Sequence, residues 1–204
     1  MVPRGERAQP QAASHDWRAR SELALSIRHG IFIDGQGGGV SLGGELLHRR
    51  GLLIVGAVGE WGASVFNAYK YWGGGGALGV SAPSPSWLRL DLLGVAGAYS
   101  YDNVGALPFL SAGLAAAGGY ITDQGSRAML PFAGARLRSS LELGGANRFS
   151  LGLEAAAEAD LTHATRTYES SNLGFGQRRD YVNQRTVGTE RFAAGLTLGG
   201  SFDL

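Results

Sequence analysis

The 204-residue chain contains no cysteine, which excludes disulfides, thiol nucleophiles and cysteine-ligated metals. Lysine is nearly absent too. Lys70 stands alone against seventeen arginines, and the acids balance the bases to a net charge of +1. That balance gives no electrostatic footprint for nucleic acid or for an acidic partner. Charged residues are only 17% of the chain, below the ~25% usual for soluble globular domains. Long apolar runs are missing as well. The longest uncharged stretch, 103–122, holds Asn103, Pro108 and several glycines, and is too weakly apolar to cross a bilayer as a helix. Residues 1–20 are polar, read as a flexible lead, and contain no signal-peptide core. An exported barrel needs such a signal, so it has either been removed or replaced by an artificial start; Val2-Pro3-Arg4-Gly5 resembles part of a thrombin cleavage site. The four histidines, His15, His29, His48 and His163, have no second ligand at metal spacing, so neither metal nor cofactor is expected. The glycine runs 37–39 and 73–76 are followed by no Gly-Lys-Ser/Thr and are not phosphate loops.

Glycine, by contrast, is abundant at 34 residues, far above the usual ~7%, and follows no collagen period. Small residues on the inner face of a narrow strand barrel would use glycine in this way. The chain alternates with period two from residue 21 onward. The clearest stretch is Arg191 to Leu204. Phe192, Ala194, Leu196, Leu198, Gly200, Phe202 and Leu204 share one face, and Arg191, Ala193, Gly195, Thr197, Gly199, Ser201 and Asp203 share the other. Its length exceeds the roughly 9–11 residues that a tilted strand needs to span a bilayer.

Similar alternation marks 21–33, 40–50, 52–65, 72–82, 87–100, 129–143 and 149–161. Leu93 and Val95 depart from the phase of Leu88, Leu90 and Leu92, which predicts a bulge there. The final stretch, with Leu196, Leu198 and Phe202, resembles the closing strand of bacterial outer-membrane β-barrels. The chain as a whole resembles the small non-porin barrels of the OmpA transmembrane-domain and OmpX type. The resemblance implies an all-β, eight-stranded antiparallel transmembrane β-barrel over 21–204, with short periplasmic turns and long extracellular loops.

Strand parity points the same way. Bacterial single-chain barrels have even strand numbers. Counting 101–127 as a ninth strand gives an odd number, whereas treating it as a loop gives eight and sorts the connections by length. The turns at 49–51, 83–86 and 144–147 are then tight and periplasmic, and 34–39, 66–71, 101–127 and 165–189 become outer loops. Aromatics fall at two levels: Trp87, Phe149 and Phe202 at the lower end, Trp61, Trp72, Tyr99 and Phe192 at the upper. Interface girdles produce this pattern.

Alternation alone leaves two orientations open, a membrane barrel with the apolar face outward or a soluble lipocalin-like barrel with it inward. The other face is mostly Gly, Ala and Ser, with mid-strand charges of both signs, which suits a narrow lumen better than a soluble exterior. With the apolar face outward, Glu22, Arg28, Glu45, Glu60, Arg89, Asp91, Arg136, Arg138, Glu142, Glu154, Glu158 and Asp160 point inward. An eight-stranded interior is just wide enough to be filled by side chains. These charges are expected to pair into a plug, because unpaired ones would be costly; a narrow conduit for small solutes is the alternative.

Two features bear on function. The 165–189 loop carries Tyr168, Phe175, Arg178, Arg179, Tyr181 and Arg185, a set suited to a protein partner or to lipopolysaccharide phosphates. His163 stands near Glu169, Ser170 and Ser171; outer-membrane lipid A deacylases use such residues at a barrel rim, but their close His-x-Ser-Asn spacing is absent. The expectation is a non-enzymatic outer-membrane barrel with a structural, adhesive or envelope-complex role through its surface loops. Its expected partners are membrane lipid, lipopolysaccharide and other envelope proteins. A lipid-modifying enzyme centred on His163 is the rival.

Overall fold

Each alternating strand presents one face fit for hydrocarbon and one fit for polar partners, and closing the sheet into a cylinder satisfies both. A computed structural model describes residues 21–35, 37–64, 69–85, 87–103, 119–122, 128–144, 147–174 and 177–204. Eleven strands fall among the described residues: β1 (Ser21–Asp34), β2 (Gly37–Arg50), β3 (Leu53–Ser64), β4 (Tyr69–Ser81), β5 (Leu88–Asn103), β6 (Gly119–Thr122), β7 (Ala128–Gly144), β8 (Asn147–Asp160), β9 (Ala164–Gly174), β10 (Gln177–Val187) and β11 (Glu190–Asp203). Eight of them close into an antiparallel barrel in the order β1-β11-β8-β7-β5-β4-β3-β2. The first and last strands pair from Glu22↔Asp203 to Asp34↔Arg191, so the barrel leaves no free edge. This is the eight-stranded architecture expected from the alternation. The other three strands form a separate sheet, β10-β9-β6.

Register fixes the shape. Stepping from partner to partner around the wall leads from Glu22 through Arg49, Ile54, Gly79, Leu93, Arg136, Ala156 and Ala193 to Phe32, ten residues further along β1. A shear of that size over eight strands tilts them by about 40° and closes a cylinder that side chains can fill. On β11, Phe192 and Phe202 are ten residues apart and both half-exposed on the outside. At about 3.3 Å per residue and that tilt, they stand roughly 25 Å apart along the axis, the height of a transmembrane apolar band.

The outer wall is largely apolar across that band, with His29 on β1 and Ser139 on β7 as polar side chains on the same face. Leu25, Ile27, Leu42, Val55, Leu78, Leu92, Leu137, Leu153 and Leu196 are among 29 large hydrophobic residues on the exposed face. At roughly 90 Å² each they amount to about 2,600 Å², several times the ~300–600 Å² of the largest patch on a typical soluble monomer. The lipocalin-like orientation is thereby ruled out by the direction of the side chains. Trp61 and Trp72 are direct cross-strand neighbours on this face near the upper end, and exposed Trp87, Phe149 and Phe202 mark the lower.

Several local expectations are corrected. Asp34 and Gly37 pair directly, so the first outer connection is a tight turn and not a loop over 34–39. The fourth strand begins at Tyr69, three residues before Trp72, and takes Tyr69 and Tyr71 out of the connection. No bulge occurs at Leu93 or Val95, because both neighbouring registers run unbroken through them. Both residues are fully buried and simply point into the lumen, which accepts apolar side chains beside charged ones. Residues 165–189 form most of a long hairpin, with β9 and β10 in continuous register from Ala164↔Val187 to Gly174↔Gln177. Within 101–127, β5 continues to Asn103, and β6 pairs with β9 from Gly119↔Asn172 to Thr122↔Glu169.

Candidate functional site

Twelve inward charges follow from the parity of their strands, and the structure places all of them in the lumen. Ten are buried; Arg89 and Asp160, near the two ends, are partly exposed. They divide into layers along the axis. The layer at the end where β1 begins and β11 ends joins Glu22 to Arg89 at 2.6 Å and to Arg49 at 3.2 Å. Arg49 reaches Asp91 at 2.9 Å, and Glu142 receives Arg89 at 3.2 Å and Arg148 at 3.5 Å. Ser81 donates a further hydrogen bond to Asp91.

The central layer is built around Arg136. Its guanidinium lies 2.6 Å from Glu158, 3.1 Å from Glu60, 3.4 Å from Glu45 and 3.7 Å from Glu154. Arg138 pairs with Glu154 at 2.6 Å and with Glu45, while Arg28 pairs with Glu154 at 2.8 Å and with Glu60. With Arg191 on Glu158 at 3.2 Å, four cations meet four carboxylates. Glycines make the room. A Cβ on Gly134 would stand 2.7 Å from Glu158 Cγ and 2.5 Å from the Ala157 carbonyl oxygen, too close for either to stay in place. Removing charges from water costs several kcal/mol per ion, and only such mutual pairing offsets it.

The third layer is aromatic. Phe32, Tyr69, Tyr71, Tyr99, Tyr101 and Phe132 are all buried. Tyr99 stacks on Phe132 with centroids 4.1 Å apart, and Tyr71 meets Phe32 and Tyr99 edge-on at 5.5 and 5.1 Å. The Arg191 guanidinium lies over the Tyr71 and Tyr99 rings at 4.2 and 4.4 Å, a desolvated cation–π contact. Each tyrosine hydroxyl donates to a carboxylate: Tyr71 to Glu60 at 2.6 Å, Tyr99 to Glu158 at 2.9 Å, Tyr101 to Asp160 at 2.5 Å, and Tyr69 to Asp34. Tyr99 was expected in the outer girdle. It shares its parity with Asp91 and Val95 and therefore faces inward.

Sequence reasoning thus missed this aromatic layer, together with Arg49, Arg148 and Arg191 as members of the ion network. Parity would have found them. Phe32 is in phase with Arg28, Phe132 with Arg136, and Arg191 with Thr197 and Ser201. Sorting aromatics to the interface by residue type overrode that signal.

Of the expected surface residues, Tyr168 lies on β9, and Arg178, Arg179, Tyr181 and Arg185 lie on β10. Across the hairpin, Tyr168 is paired with Asn183, Tyr181 with Ser170 and Arg185 with Arg166. Phe175 lies outside the described residues. His163 is exposed at the rim and donates from Nδ1 to the Gly188 carbonyl. Glu169, Ser170 and Ser171 fall on β9, where only the backbone is described. Among the described residues no group of three His, Cys, Asp or Glu is placed to hold a metal ion.

A closed antiparallel cylinder with an apolar outer band and an ion-filled interior defines the chain as a small transmembrane β-barrel of the outer-membrane type. Neisserial surface protein A (NspA) has a similar fold: its crystal structure superposes with a TM-score of 0.52 at 10% sequence identity, covering 89% of this chain and 96% of that one. At that identity the likeness is one of fold. The translocator domain of the autotransporter NalP from Neisseria meningitidis aligns at 11% identity over 92% of this chain and 89% of that one, with a TM-score of 0.29, too low to support an argument. No protein-family model matches the chain, and no curated protein sequence does.

Proposed function

We propose that this chain resides in a bacterial outer membrane as a rigid, plugged barrel. Its work, structural, adhesive or within an envelope complex, is carried by the sheet of β6, β9 and β10. One observation carries the reading. The lumen is occupied by paired ions and stacked rings, whereas β6, β9 and β10 form a second sheet that is not hydrogen-bonded into the barrel wall. A filled eight-stranded lumen favours a support over a conduit. The segment 164–187 holds four arginines and two acids, and arginine suits the phosphates of lipopolysaccharide. Protein partners of the envelope are the second class this sheet would serve.

Replacing 168–183 by a short turn tests the reading. Tyr168 and Asn183 face each other in the hairpin register, so the cut leaves Thr167↔Gln184 and the barrel wall untouched. The shortened protein is expected to refold and to lose binding to lipopolysaccharide when titrated in nanodiscs. Undiminished binding overturns the assignment.

A further inference from the structure

The lumen differs between its two ends. Toward the end where β1 runs into β2 it is filled by six aromatic rings, which share one buried cluster with Leu130 and Val187. Toward the end where β1 begins it loosens. Side chains of Arg89, Arg148 and Arg49 are 13%, 12% and 9% exposed, against 1–4% for Arg28, Arg136 and Arg138. Between the lower and central ion layers lies a cavity of about 10 Å³, lined among others by Ala24, Arg49, Ser140, Glu142, Ser150 and Thr197. That is roughly the room one water molecule needs.

Arg49 supplies the second observation. Its two terminal nitrogens are paired, with Glu22 and with Asp91. Its Nε is buried, in a residue only 7% exposed, and has no protein partner. A buried guanidinium N–H left alone bears the full loss of its hydration. We infer that one water molecule occupies this cavity, accepts a hydrogen bond from Arg49 Nε, and donates to the carboxylate and hydroxyl oxygens around it. It thereby links the lower ion layer to the central one, and it exchanges with the aqueous phase through the looser end.

Other occupants fit less well. At about 10 Å³ the cavity has room for no more than a water-sized molecule, and eight of its ten lining residues carry polar side chains, which suits water better than an apolar guest. Glu142 repels an anion, and Arg49 and Arg138 each already hold two carboxylates. The same two arginines repel a cation. A neutral molecule that both donates and accepts satisfies every neighbour. The inference does not depend on the role of the outer sheet.

Ala24 gives a clean test, because it lines the cavity and contributes no hydrogen-bonding group. Ala24→Val and Ala24→Thr add the same volume and both displace the water. Only threonine returns an acceptor to Arg49. In urea titrations of the refolded barrel, the valine variant is expected to have a folding equilibrium constant about tenfold below that of the threonine variant. The valine variant is also expected to fall below the unmodified protein, whose water it displaces; a valine variant as stable as the unmodified protein, or more so, means that the methyl filled a dry void and overturns the inference. If neither variant refolds, the unmodified protein in detergent micelles decides. Magnetisation transfer between water and the Ala24 methyl supports the site, and its absence overturns it.

Discussion

Replacing Arg136 with methionine would remove the charge at the centre of the lumen while keeping a side chain of similar reach. Arg136 is 1% exposed and lies within 3.7 Å of Glu45, Glu60, Glu154 and Glu158. Arg28, Arg138 and Arg191 complete a balance of four cations and four anions; without Arg136, three cations face four anions. Breaking a buried ion pair from one side costs about 3–5 kcal/mol, whereas an exposed pair is worth only about 0–1 kcal/mol. Burial therefore puts Arg136→Met in the first range. Adding Glu60→Gln restores the balance and keeps an acceptor for the Tyr71 hydroxyl, so the double variant is expected to recover more than half of the loss. Urea titration in lipid vesicles, read by tryptophan fluorescence and by the folded band on unboiled gels, measures both. A single-variant loss below about 1 kcal/mol would refute the reasoning, because it would place these charges in water. So would a double variant no better than the single one.

Two further substitutions probe the wall from either side. A Cβ on Gly62 would sit 2.3 Å from the Tyr71 ring, which is itself held by Phe32, Tyr99 and Arg191; Gly62→Ala is expected to cost about 1–3 kcal/mol by overpacking in the same urea titration. Leu153 is 65% exposed in the middle of β8. Leu153→Arg is expected to cost about 2–4 kcal/mol when the barrel unfolds from a bilayer, whereas a neutral result would place that face in water.

The wall of the barrel was legible in the sequence because a two-residue period on a narrow cylinder leaves little choice. Leu196, Leu198 and Phe202 alternating with Thr197 and Ser201 give both the strand and its faces. The mid-strand charges on β7 and β8 were readable for the same reason: Arg136 and Arg138 share a phase, as do Glu154 and Glu158. The aromatic plug was not read because a tyrosine is at home both at a membrane interface and in a lumen with carboxylates to receive its hydroxyl. Only phase separates the two, as Tyr99 shows. The hairpin of β9 and β10 was hidden for a different reason. Its sequence carries no apolar–polar alternation, and segments such as Tyr168-Glu169-Ser170-Ser171-Asn172 read as loop. Its pairing with β6 joins positions about fifty residues apart, which no local pattern reports.

The central claim is that the apolar face of this cylinder meets lipid and the charged face fills its interior. Electrophoresis of the detergent-refolded protein, with and without boiling, tests it most directly, alongside circular dichroism. The account predicts a β-type spectrum and an unboiled band that runs apart from the boiled one, because a closed, internally ion-paired barrel resists the detergent until heated. A chain that stays monomeric in buffer without detergent and shows one band under both conditions would contradict it.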